Sequence, residues 1–330
     1  MKILLAVLGL ITAFAVVPID TRPLGSVARP AIDHAGSVAR FAAVAEAERD
    51  STMEDARSVL LDHGTRTPRV VVLVHGFTNS PRQFRELGQL LFERGYNVLI
   101  PRLPEHGLRA GDVGALKSIT AERYRDFADR AVDDARGLGD SVLVVGLSAG
   151  ADVAIWIAQH RPDVTRVVVI APAISLARVP GLFDAPVMNL MTRVPNMTFH
   201  QKPDTLRPHA YFGVSTRGVG QTLRFGASVM RDVERKAPAV RDLALVVNAN
   251  DRTVDAAPVA RIAELWRDRD GARTAFYRFA ADLRLPHDVI DATQRCGMPD
   301  VVYPVVVALL EARAPDPAPV LAPRCSPATK

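Results

Sequence analysis

Aliphatic runs alternating with stretches of helical period organise the middle of this chain. Arg69-Val70-Val71-Val72-Leu73-Val74 is apolar at consecutive positions and rich in β-branched residues, the pattern of a strand buried on both faces. Ser80 follows as a helix N-cap with Pro81 at the first helical position, and Gly95 closes that helix. Residues 96–100 read as the next strand, 120–136 as a helix, and the run from Ser141 into Leu147 as a further strand. A helix over 149–159 ends before Pro162, and 167–170 is again a strand. Buried strands separated by helices predict a parallel, doubly wound sheet. Upstream, 58–61 reads as a strand and 64–68 as a turn, a leading antiparallel hairpin at the sheet edge. Residues 41–48 suit a short helix. After Ala171-Pro172 the rhythm lapses until about residue 236, through prolines, arginines and Met188, Leu190, Met191 and Met197. A segment of that length reads as an insertion over the carboxyl edge of the sheet. The alternation then resumes with a strand at 243–247, a helix at 255–269, a strand at 274–279 and a helix at 300–313.

This divides the chain into a leader (1–18), an extension (19–57), a core (58–172 and 237–313), a cap (173–236) and a proline-rich tail (314–330). In the extension, Gly25-Ser26-Val27-Ala28-Arg29 recurs as Gly36-Ser37-Val38-Ala39-Arg40 and then stops, so no repeat architecture follows. Met1-Lys2, an apolar run and Ala13-Phe14-Ala15 have the form of a secretory signal. The run ends at Pro18, short of the roughly 20 residues of a spanning helix. The expectation is therefore export, periplasmic or secreted, with anchoring by an uncleaved N-terminal helix as the alternative and the only expected membrane contact.

Composition changes this picture little. With 330 residues, 48% hydrophobic and 23% charged, the chain is of ordinary globular type. The net charge of +5 comes from arginines interspersed with acids, a solvated surface rather than a nucleic-acid footprint. Only Cys296 and Cys325 occur, without metal-ligand spacing, so neither a metal nor a cofactor is expected. In an exported protein those two favour a disulfide that pins the tail to the body.

The chemistry centres on Gly146-Leu147-Ser148-Ala149-Gly150, a G-x-S-x-G pattern between a strand and a helix. On so sharp a turn the backbone is strained, and side chains at the two glycines would meet the neighbouring strand and helix. Ser148 is thereby lifted clear of the sheet edge. A serine nucleophile needs a base, and the base an acid that sets its tautomer. Of eight histidines, His34 and His63 precede the core, His75 and His106 follow early strands, His160 ends a helix, and His200 and His209 lie in the insertion. His287 follows the last strand and precedes the last helix, the place of the third member in the chain order Ser, Asp/Glu, His. For the acid, Asp251 directly follows a strand, whereas Asp255 suits the N-cap of the next helix; Asp282 is read as solvated, and Asp288 should point away from the base. Backbone N–H groups of Ala149, at a helix start, and of Phe77, after His75-Gly76, are the oxyanion donors. His75 is read as structural.

His75-Gly76, Gly146–Gly150, Asp251 and His287, in this order, resemble the α/β-hydrolase family over about residues 58–312. The stretches V-H-G-F-T-N-S-P-R-Q-F and G-Y-N-V-L-I-P-R-L-P-E-H-G are similar to those of bacterial carboxylesterases and monoglyceride-lipase-like members. That branch often has G-H-G where this chain has Glu105-His106-Gly107. The resemblance implies a mostly parallel sheet flanked by helices, with a cap inserted after the sixth strand. It also implies Ser148 as nucleophile, Asp251 as acid, His287 as base, and Phe77 and Ala149 as oxyanion donors. The expected reaction is cleavage of small to medium acyl esters through an acyl-enzyme. Alternatives are a thioester, lactone or amide on the same residues, or a catalytically silent binding module. Ala151-Asp152 departs from the family pattern; Asp152 suits the first-turn dipole and reads as a packing adjustment. Leu182, Phe183, Met188, Leu190, Met191 and Phe199 of the cap suit either an acyl pocket or the cap's own core.

Overall fold

The computed structural model describes residues 9, 12–109, 111–177, 179–267 and 269–315. Much of the expected leader, the tail from 316, and with it Cys325 of the expected disulfide, lie outside the described residues. A seven-stranded sheet forms the centre: β1 (Val59–Leu61), β2 (Thr67–Val74), β3 (Asn97–Ile100), β4 (Gly139–Leu147), β5 (Arg166–Ile170), β8 (Asp242–Asn248) and β9 (Arg273–Phe279). Its spatial order is β1-β3-β2-β4-β5-β8-β9, parallel except for β1. The aliphatic runs explain the layering. Along β2, Val70, Val72 and Val74 pack with one helical layer and Val71 and Leu73 with the other, all fully buried. The first layer holds α3 (Ala121–Ala135), α4 (Ala149–His160) and α7 (Ala257–Trp266); the second holds α2 (Arg85–Glu93) and α8 (Pro299–Leu310). This is the α/β-hydrolase fold.

Two expectations need correction. β1 does lie antiparallel at the edge, but it pairs with β3 and not with β2, whose two sides are taken by β3 and β4. The insertion leaves after β5, the fifth described strand and not a sixth, because β1 is the single described strand ahead of β2. Between β5 and β8 run α5 (Asp184–Arg193), a two-stranded ribbon of β6 (Thr198–His200) and β7 (Gly213–Ser215), and the long α6 (Thr216–Arg235). Phe225, Val229 and Val233 of α6 join the first-layer core, so this helix ties the insertion to the body. Of the six apolar cap residues, only Met188 is buried; Leu182, Phe183 and Phe199 face solvent. They therefore do not form a packed core among themselves.

The end of the expected leader and the extension also pack on the fold. Arg193 of α5 donates to the carbonyls of Phe14, Val17 and Pro18. Trp156 of α4 donates to Leu24 O at 2.7 Å, and Asp129 and Asp133 of α3 accept from the Val27 and Arg29 amides, each at 2.7 Å. The chain then enters α1 (His34–Glu48), which starts well before the expected residue 41 because Asp33 caps it, accepting from Gly36 N at 2.8 Å. No helix among the described residues is long and apolar enough to cross a membrane.

Candidate active site

Strained backbone collects at the carboxyl edge of the sheet. Thr78 (φ 67°), Glu105 (φ 66°), Ser148 (φ 57°) and Ala171 (φ 46°) follow β2, β3, β4 and β5 in turn, each in a region unfavourable to L-residues. Glu105 holds a left-handed φ, a conformation that favours glycine.

Ser148, at φ 57° and ψ −121°, is the turn between β4 and α4 and is buried to within 8%. Its amide donates to Ile170 O at 3.0 Å, and its carbonyl accepts from Ala151 N at 2.8 Å and Asp152 N at 3.1 Å. Both flanking glycines are required. A Cβ on Gly146 would lie 2.1 Å from Gly150 O, and one on Gly150 would lie 2.1 Å from Val74 O. The turn is thus wedged directly against β2.

Asp251 and His287 come together three residues beyond β8 and eight beyond β9. Asn248, the last residue of β8, donates to Leu285 O at 3.0 Å and Pro286 O at 2.9 Å, holding the His287 loop against the strand end. Asp251 Oδ2 then accepts from His287 Nδ1 at 2.6 Å. Its Oδ1 accepts from Thr253 N at 2.8 Å and Val254 N at 3.1 Å. Burial pushes this carboxyl up, but the histidine and the loop amides outweigh it and hold the pKa below the usual carboxylate value. A carboxylate on Nδ1 leaves the proton there and the lone pair on Nε2, the tautomer of a general base. Asp255 does not take part: its Oδ1 accepts from Ala257 N at 3.0 Å, at the start of α7. No hydrogen bond joins Ser148 Oγ to His287 in this structure; catalytic contacts of this kind tighten when substrate binds.

The amides of the turn after β2 are claimed one by one. Gly76 N donates to Gln83 Oε1 at 2.8 Å, Thr78 N to His106 Nε2 at 3.2 Å and Asn79 N to Gly76 O at 3.2 Å. Phe77 N–H and Ala149 N–H have no acceptor among the described residues. The two turns touch: a Cβ on Gly76 would be 3.3 Å from Ser148 Cβ.

Two buried histidines fix this turn. His75 donates from Nδ1 to Gly76 O at 2.9 Å and accepts on Nε2 from Leu103 N at 3.0 Å. His106 donates from Nδ1 to Pro104 O at 2.8 Å while taking Thr78 N. Each therefore carries one proton, and burial pushes His75 well below the usual value and His106 down to about 4. Sequence reasoning left His106 without a role. Its signal was local: an E-H-G turn directly after a strand. The linkage is testable. The unfolded chain takes up protons below about pH 6.5, while folded His106 refuses them until about 4. The contribution of His106 to stability should be complete above pH 6.5 and fall by about 3 kcal/mol on the way to pH 4, at ~1.4 kcal/mol per unit. Urea midpoints at neutral pH and pH 4.5 measure it; an equal slope in His106→Gln would contradict the assignment.

Asp152 corrects a sequence reading. It is fully buried under α6, near Gly226, and neither carboxyl oxygen has a hydrogen-bond partner. Burial pushes its pKa well above the usual value. The folded state holds a proton that the unfolded chain releases above about pH 4, so this group costs stability increasingly as pH rises. Asp152→Asn should be more stable than the wild type at pH 8, by about 1–3 kcal/mol, with the gap closing towards pH 4. A gap independent of pH would contradict this.

Among the described residues no cluster of three His, Cys, Asp or Glu side chains could hold a metal ion.

Comparison with known proteins agrees with this architecture. The serine aminopeptidase family S33 matches residues 65–272, more than half of the chain. A thermostable monoacylglycerol lipase of Bacillus sp. (strain H-257) is 33% identical over 115 residues, 33% of this chain and 42% of that one. Phospholipase YtpA of Bacillus subtilis (strain 168) is 30% identical over 113 residues, 34% of this chain and 43% of that one. The chain thus spans less than half the length of these curated relatives. A structure from work on the metagenome-derived lipolytic enzymes LipS and LipT superimposes with a TM-score of 0.60 at 18% identity, covering 79% of this chain and 100% of that one. On the family match and the shared fold, this chain belongs to the S33 serine aminopeptidase family of α/β hydrolases.

Proposed function

We propose that the protein is a serine hydrolase that cleaves carboxylic esters of small to medium acyl substrates through an acyl-enzyme. Ser148 Oγ attacks the carbonyl carbon as His287 Nε2 takes its proton, and the charge on the carbonyl oxygen rests on Phe77 N–H and Ala149 N–H. Collapse breaks the acyl–oxygen bond, and His287 returns the proton to the departing alcohol. Water, deprotonated by the same histidine, then releases the acid and restores Ser148. Asp251 keeps His287 in the required tautomer throughout.

The reading is supported above all by the 2.6 Å hydrogen bond between Asp251 and His287, at the sheet edge that also carries the strained Ser148. Two curated relatives named as lipases, whose substrates are esters, agree with it. The family description, serine aminopeptidase, favours amide hydrolysis as a second reading on the same residues. Matched p-nitrophenyl esters and p-nitroanilides separate the two. Hydrolysis of butyrate and octanoate esters should exceed that of palmitate and of any anilide. Flat activity across chain lengths would sink the acyl preference, and faster anilide cleavage would sink the ester assignment. Export of the protein, and pairing of Cys296 with Cys325, belong to the same proposal and draw on the leader sequence.

A further inference from the structure

Gln83 spans two loops that the reaction would need in register. Its Oε1 accepts from Gly76 N at 2.8 Å, in the turn that carries the Phe77 N–H. Its Nε2 donates to Asp288 Oδ2 at 2.7 Å, and Asp288 immediately follows His287. Asn79 Nδ2 reaches the same Oδ2 at 3.1 Å, while Asp288 Oδ1 accepts from Ile290 N at 3.2 Å and Asp291 N at 3.1 Å. Gln83 is 2% exposed and Asp288 6%, so water does not compete for these bonds. Every hydrogen-bond partner of Asp288 is a donor, and Gln83 has a fixed orientation: its oxygen faces an amide and its nitrogen faces the Asp288 carboxyl.

We propose that Gln83 and Asp288 are positioning residues that lock the oxyanion turn after β2 to the His287 loop, setting the spacing between the Phe77 amide and the base. The proposal rests on the ester-hydrolase reading. An apolar residue of Gln83's length would fill the same space and leave both loops anchored by their other bonds, with the 3.1 Å Asn79–Asp288 bond as the side-chain link left between them. Misplacing reacting groups by about 1 Å costs on the order of 100-fold in rate.

Gln83→Met tests it first. With active sites titrated, kcat should fall about 10- to 100-fold with KM nearly unchanged. Gln83→Glu should fall at least as far, since it sets a second carboxylate against Asp288. Joining Gln83→Glu to Asp288→Asn reverses the hydrogen bond, with the carboxylate accepting from the new amide while Asn79 Nδ2 loses its acceptor, and should recover part of the kcat lost in Gln83→Glu alone. Wild-type kcat in Gln83→Met, or no recovery in the double variant, would overturn the coupling. Should Gln83→Met fail to fold, the double variant against Gln83→Glu decides. Hydrogen exchange reads the link without catalysis: in Gln83→Met, segments 76–79 and 285–291 should both exchange faster, and a change in one alone would refute it. If the wild type cleaves no ester, the functional reading fails, and the exchange result still judges the link.

Discussion

Ser148→Ala is expected to lower kcat on a short-chain p-nitrophenyl ester by about 10⁴- to 10⁶-fold, with the thermal midpoint close to wild type. In the proposed reaction the large kinetic effect follows from removing the atom that attacks the acyl carbon. The small thermal effect follows from the backbone. Ser148 holds φ 57° through its amide bond to Ile170 and through glycines at 146 and 150, and alanine would be held in the same way at similar strain. The residual rate over water should reflect the two amide donors acting on a directly attacking water. A residual activity within tenfold of wild type would remove Ser148 from the reaction.

Asp251→Asn should cost about 10⁴-fold in kcat, and Asp255→Asn almost nothing. Asp251 Oδ2 accepts the hydrogen bond from His287 Nδ1–H and is itself oriented by Thr253 N and Val254 N on its other oxygen. With those amides claiming the asparagine oxygen, its NH₂ would face His287 Nδ1 as a donor. The ring would then carry its proton on Nε2, where it cannot accept one from Ser148. Asp255 spends its carboxylate on Ala257 N, so its loss falls on the start of α7. A larger kinetic loss at Asp255 than at Asp251 would reverse the assignment.

The two aspartates also mark where sequence reasoning stopped. Residues 246–255 offered both, and nothing local chose between them with certainty, because the choice depends on where a loop 36 residues later comes to rest. Asn248 decides that by gripping Leu285 and Pro286. The strands around the site were legible because burial on both faces writes itself as unbroken β-branched runs, and the G-x-S-x-G turn because it is local. Pairing was less so: β1 adjoins β3 across the sequence of β2, and the length of an aliphatic run does not name its neighbour. Gln83 and His106 were missed, and Asp152 was read only as a packing adjustment, for a further reason. Each has a polar side chain whose role is set by partners, or by their absence, from distant elements.

The site's central claim is that Ser148 is a nucleophile activated by the Asp251–His287 pair. A fluorophosphonate probe measures this directly, because it phosphonylates only an activated serine, and mass spectrometry of the digested adduct locates it. Wild-type protein should take up one probe per chain on the peptide containing Ser148. Labelling should vanish in Ser148→Ala and slow strongly in Asp251→Asn. Wild-type protein that does not label, or that labels at another residue and continues to do so in Ser148→Ala, would contradict the account.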